Sequence, residues 1–181
     1  MDGARLGSAL CVAGSDLKLS DLPHLVDAFY IGGTKNGALI GEALVICREE
    51  LQEDFRFHMK QRGALLAKGR VLGLQFLELF KEELFFTMAT HANAMAELLR
   101  KAIGDAGFKF LVNSPSNQIF PILPNSLIAK LHEKYAFYVW SKIDEEYSSV
   151  RLVTSWATEE DAVRRFIADI KALGFCAGKA D

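Results

Sequence analysis

The segment Ile31-Gly32-Gly33-Thr34-Lys35-Asn36-Gly37-Ala38 limits what this chain can fold into more than any other stretch. Apolar runs of strand length flank it, Ala28-Phe29-Tyr30-Ile31 before and Ala43-Leu44-Val45-Ile46-Cys47 after. The pair Asn36-Gly37 is a strong hairpin signal, because both residue types tolerate a positive φ. The pattern predicts a β-hairpin with buried arms and with Lys35 at its turn. Small neighbours at Gly32, Gly33, Gly37 and Ala38 would let a flat ligand approach the backbone. A lysine held there, partly desolvated, serves as an amine nucleophile toward an aldehyde. The other reading of the same pattern is a solvated lysine on a tight turn.

Upstream of the hairpin, Ser20-Asp21-Leu22-Pro23 reads as a helix start, with Ser20 the N-cap and Pro23 in the first turn. The short helix carries His24 and returns the chain to the strand, enough for a βαβ connection. After the second arm, a helical stretch is predicted to about residue 61. Over 82–103 the residues Phe85, Met88, Ala92, Met95, Leu99 and Ala102 are spaced by three and four. That spacing is one face of a long amphipathic helix, stopped by Gly104 and Gly107. His91 on this helix has no ligand-spaced partner and reads as packing.

The last third predicts a two-layer α+β unit with its sheet covered on one face. A strand over 118–123 has Pro121 at an edge position, and Asn125 caps a helix through His132. Strands follow at 137–140 and 150–155. Thr158 with Asp161 approximates a capping box for a helix ending at Gly174. The expected division is a large domain over 1–103, including the linking helix, and a small domain over 104–181.

Two sets of charged residues stand out. Arg56, Lys60, Arg62, Lys68 and Arg70, with His58 among them, make a basic stretch that reads first as a solvated helix face. Arg151 interrupts an apolar strand and shares a face with Val153 and Ser155, since side chains alternate along strands. A guanidinium there can hold a carboxylate by two parallel hydrogen bonds, which lysine cannot reproduce.

Three blocks of the sequence together resemble the threonine aldolase (β-eliminating lyase) family. They are Met1-Asp2-Gly3-Ala4-Arg5-Leu6, the segment from Asp27 through Ala38, and Val150-Arg151-Leu152-Val153-Thr154-Ser155, in the family's order. The resemblance implies a pyridoxal-phosphate enzyme of the α/β, fold-type I (aspartate-aminotransferase-like) class, of which this chain is the C-terminal part. Lys35 would be the Schiff-base lysine, and Asp2 would pair with the protonated pyridine nitrogen, making the ring a better electron sink. Arg5 and Arg151 would lie at the substrate carboxylate. Arg70 matches best the arginine that reaches the cofactor phosphate across a subunit interface, although Ala64-Leu65-Leu66-Ala67 replaces the family's glycine-rich lead-in. The expected reaction cleaves a β-hydroxy amino acid to glycine and an aldehyde. β-Elimination and transamination use the same lysine and aspartate. The reading from another class is a non-catalytic fragment that acts only by association with another chain.

Composition bears on partners. Hydrophobic residues make up 50% before counting Gly 14, against roughly 45–50% with glycine included in ordinary domains. That surplus points to an interface, in agreement with a homo-oligomer (dimer or tetramer). The net charge of −2 gives no reason to expect nucleic acid or an anionic membrane as partner. Cys11, Cys47 and Cys176 lack paired spacing, as expected of reduced thiols in a cytoplasmic protein. No metal site is expected.

Overall fold

The computed structural model describes residues 1–177, with side chains through Leu173. The hairpin forms as the sequence implies. β1 (Ala28–Gly32) pairs antiparallel with β2 (Glu42–Ile46), from Ala28 opposite Ile46 to Gly32 opposite Glu42. Its closure differs, because residues 33–41 separate the arms and no two-residue Asn-Gly turn exists. Gly37 takes φ +103°, whereas Asn36 keeps a negative φ. Asn36 is instead buried and donates through Nδ2 to the Phe85 carbonyl at 2.8 Å. The expectation of two buried arms holds only for β1. Phe29 and Ile31 are buried while Leu44 on β2 is exposed, since among the described residues β2 is an edge strand paired only with β1.

Residues 1–4 lie along the other edge of β1. The Met1 amine donates to the Ala28 carbonyl, Tyr30 N–H to Met1, and Gly32 N–H to Gly3. That offset is the pattern of a parallel pair, so the intervening helices form the expected crossover. Glycine makes the approach possible: a Cβ on Gly3 would lie 1.7 Å from the Tyr30 carbonyl oxygen, and one on Gly32 2.5 Å from that of Ala4. Both obstacles are backbone and cannot swing aside. Gly3→Ala is therefore expected to lose at least the about 1–3 kcal/mol of ordinary overpacking. Hydrogen exchange of the Tyr30 and Gly32 amides checks this; wild-type protection would show that residues 1–4 do not pair with β1.

The crossover holds α1 (Leu6–Leu10) and α2 (Leu22–Leu25). Ser20 lies inside a 3-10 turn, Leu19–Asp21, and does not cap α2, although Pro23 sits in the first turn as read. Beyond the hairpin come α3 (Phe55–Gln61) and α4 (Arg70–Phe80). The core of this unit joins Leu6, Leu22, Phe29, Ile31, Leu79 and Phe85.

The long helix is α5 (Leu84–Asp105), with Phe85, Ala92, Met95, Leu99 and Ala102 buried as their spacing predicts. The chain divides into compact units at Ala89/Thr90, inside α5 and ahead of the expected 103/104 boundary. The cause is packing, because Met95, Leu99 and Ile103 belong to the second core.

In the second unit β6 (Tyr147–Val153) is the central strand. Along one edge it pairs with β3 (Gln118–Ile119) and then β4 (Ile122–Pro124); on the other with β5 (Tyr138–Lys142). Pro121 splits the predicted strand in two, having no N–H to donate, yet its carbonyl still accepts from Val150 at 3.0 Å. α6 (Asn125–His132) and α7 (Glu160–Ala177) pack with α5 on one sheet face, burying Ile119, Leu123, Leu127, Leu131, Val150 and Ile170. Two helix ends differ from expectation. Asn125 is the first residue of α6, with its side chain donating to the Glu145 carbonyl at 3.0 Å and not capping the helix. α7 runs through Gly174 to Ala177, because an interior glycine costs only about 1 kcal/mol. The side chain of Cys176 lies outside the described residues.

Candidate functional site

The pairing of residues 1–4 with β1 sets Asp2 beside Tyr30. Asp2 Oδ1 accepts a hydrogen bond from the Ala4 N–H at 2.9 Å and another from the Tyr30 hydroxyl. The Tyr30 bond first, then the Ala4 bond, hold the Asp2 carboxyl below the usual carboxylate range, against a smaller opposing effect of burial. The Lys35 ammonium and the N-terminal amine add attraction from a distance. The same bond to Asp2 is the first cause that pushes the Tyr30 phenol up. Asp2 therefore stays anionic to lower pH than an ordinary aspartate, and Tyr30 stays a donor to higher pH than an ordinary tyrosine.

Lys35 sits at the tip of the 33–41 loop and is exposed, among buried Gly32, Gly33, Asn36 and Ala38. The expected partial desolvation is not supplied by the described residues, since the loop opens outward there. Its backbone is nonetheless fixed: Gly33 N–H donates to Glu42 Oε2 at 3.0 Å, and the Gly33 carbonyl accepts from Asn36 and Ala38. The result is an exposed amine on a loop held by backbone hydrogen bonds, with its charge acting on the Asp2 carboxylate from a distance. Tyr30 and Glu42 were not anticipated. Tyr30 carried the single signal of being a polar-tipped residue inside an apolar strand.

Arg5 is the N-cap residue of α1 and is half-buried, with its Nε fully enclosed. Arg70 is the first residue of α4 and is exposed, as are Arg56, His58, Lys60, Arg62 and Lys68 before it. Of the histidines, His91 bonds the Thr158 carbonyl at 2.8 Å and His132 stacks on Phe137 at 4.2 Å. No group of three or more His, Cys, Asp or Glu among the described residues is placed to hold a metal ion.

In the second unit, half-buried Arg151 alternates along β6 with Val150 and Leu152, which belong to the helix-packed core, and so takes the opposite sheet face. The rings of Tyr138 and Trp140 on β5 flank its guanidinium, with centroids 5.4 and 5.3 Å from the central carbon. Trp140 in turn meets Phe120 edge to face at 5.2 Å. Arg151 Nε and the hydroxyl of fully buried Ser149 have no hydrogen-bond partner among the described residues. Two enclosed polar atoms on one strand face, neither with a hydrogen-bond partner among the described residues, distinguish this from a solvated surface arginine. Neither the aromatic clamp nor Ser149 was anticipated, because both depend on the register of β5 and β6.

The donor set fits pyridoxal phosphate: an ionised carboxylate for a ring N–H, a primary amine for an aldehyde, and glycines between them. No protein-family model matches the chain. It is 32% identical, over 96% of its length, to the low specificity L-threonine aldolase of Pseudomonas sp. (strain NCIMB 10558). The likeness to the enzyme of that name from Pseudomonas aeruginosa is also 32% over 96% of the chain. The chain spans 49% of each of these relatives, about half their length. Among solved structures, it superposes on Leishmania major threonine aldolase with a TM-score of 0.93 and 45% identity, covering 96% of this chain and 51% of that one. The serine palmitoyltransferase of Sphingomonas wittichii shares the fold, with a TM-score of 0.61 and 14% identity over 84% of this chain and 41% of that one. The resemblance noted in three sequence blocks thus extends over nearly the whole chain, and the architecture is a portion of the expected α/β, fold-type I class.

Proposed function

We propose that this chain is the lysine-bearing part of a pyridoxal-phosphate-dependent threonine aldolase, cleaving a β-hydroxy amino acid such as L-threonine to glycine and an aldehyde. The observation that carries the reading is the joining of residues 1–4 to β1, which sets an ionised Asp2 within electrostatic reach of Lys35. Pyridoxal phosphate, when bound, supplies an aldehyde for an amine and a ring that takes up the electrons of the bond being broken. Asp2 offers an anionic oxygen that favours a protonated ring nitrogen. Lys35 offers its amine as the covalent anchor and, once free, as a base or acid at the substrate. Arg151 binds the amino-acid carboxylate by a charge-assisted pair, with the rings of Tyr138 and Trp140 beside its guanidinium. Arg5, on the first unit, is a second candidate for a substrate carboxylate, and Arg70 for the cofactor phosphate of a neighbouring subunit.

A cytoplasmic homo-oligomer suits the surface of the first unit. Leu39 is 94% exposed, and Val71, Leu74 and Leu77 on α4 are all more than half exposed. Apolar side chains in such number favour cover by the remainder of the enzyme and by a second copy. Among the described residues no helix is long and apolar enough to cross a membrane.

Borohydride tests the reading directly, because it reduces an imine to a stable amine. The protein incubated with pyridoxal phosphate and then reduced is expected to carry the pyridoxyl group on Lys35, as mapped by peptide mass spectrometry. A label spread over Lys60, Lys68 and other surface lysines would refute the assignment.

A further inference from the structure

We propose that Tyr30 is a positioning residue for Asp2: with the Ala4 N–H it occupies one carboxylate oxygen and leaves the other, Oδ2, for a cationic ring nitrogen. The ligand class rests on the function proposed above, whereas the pairing itself rests on geometry. Both donors converge on Oδ1, and Oδ2 accepts no hydrogen bond among the described residues. The donors come from different elements. Ala4 belongs to the segment beside β1, and Tyr30 to β1 itself, which is bonded along both edges. Together they fix a short side chain that would otherwise turn freely at an exposed position.

A phenol suits this task better than a cation. It orients the carboxylate without cancelling its charge, so the full negative charge remains for the ligand. The charged groups facing the pair are Lys35 and the N-terminal amine toward Asp2, and Glu42 toward Tyr30. Glu42 is engaged by the Gly33 N–H and does not compete for the Tyr30 proton. The upward shift of the Tyr30 phenol keeps it a donor across the neutral range.

The test is Tyr30→Phe in the full chain, a change that keeps the ring and removes the donor. Carbon-13 NMR of the Asp2 carboxyl should titrate at higher pH in the variant than in the wild type. Affinity is then compared for pyridoxal phosphate and for its analogue with C–H in place of the ring nitrogen. Pyridoxal phosphate should bind roughly five-fold more weakly, the scale of one hydrogen bond, while the analogue binds equally to both proteins. An unchanged Asp2 titration, or equal weakening of both ligands, would overturn the proposal, the latter pointing to a merely structural role. If Tyr30→Phe does not fold, Asp2→Asn reads the pair from the other side. The Tyr30 phenol, followed in the ultraviolet, should then ionise at lower pH, and an unmoved phenol would again overturn the pairing. Wild-type protein that binds no pyridoxal phosphate would remove the ligand and the proposed function, and the NMR titration would still decide the pairing.

Discussion

Lys35→Ala, in a protein that completes this chain with the remaining half of a threonine aldolase, is expected to lower turnover by about 10²–10⁴-fold or more. That range is the contribution of one positioned proton-transfer group, and loss of the covalent anchor adds to it. Stability should be unchanged, because the side chain is exposed and the loop is held by backbone bonds and by Asn36. Thermal unfolding checks that half of the expectation. Added methylamine should restore part of the activity, since a free amine then does what the tethered one did. Turnover within a few-fold of wild type, without any amine, would rule out Lys35 as the essential base.

Much of the frame around the candidate site is legible in the amino-acid sequence, and the reason is local. The hairpin and α5 declare themselves through apolar spacing within a dozen or so residues, and both form close to the predicted ranges. α4 does not declare itself. Its apolar residues run all the way round, with Val71, Leu74 and Leu77 outward and Leu79 buried, so no stripe separates a core face from a wet one. α1 is five residues long with no side-chain cap, too short for periodicity to register.

The closure of the hairpin fails to show for a different reason. Asn-Gly favours a two-residue turn only when the asparagine is free to adopt the turn's positive φ. Here the carbonyl of Phe85 claims the Asn36 amide from forty-nine positions away. The Tyr30–Asp2 bond, spanning twenty-eight positions, is hidden in the same way. Sequence separation also explains Arg151. Its alternation with Val153 is legible, but the rings beside it come from another strand whose register slips at Trp140. Residue types announce the chemistry, and long-range pairing decides its geometry.

That clamp defines the last expectation. Arg151→Lys preserves the charge and removes both the planar fork and the flat face that Tyr138 and Trp140 flank. Losing one charge-assisted hydrogen bond costs roughly 1.5–3 kcal/mol, which corresponds to about a ten- to hundred-fold fall in kcat/KM. The carboxylate is bound alike in the ground and transition states, so the change should fall mainly on KM. Cofactor content should stay at the wild-type level, because Arg151 is assigned to the substrate carboxylate and Asp2 and Lys35 to the cofactor. Trp140→Leu should raise KM less, by loosening the guanidinium without removing it. Steady-state kinetics with threonine, beside a cofactor absorbance spectrum, separates these effects. Wild-type KM in Arg151→Lys would mean that the carboxylate is held elsewhere, and Arg5 would become the residue to replace next.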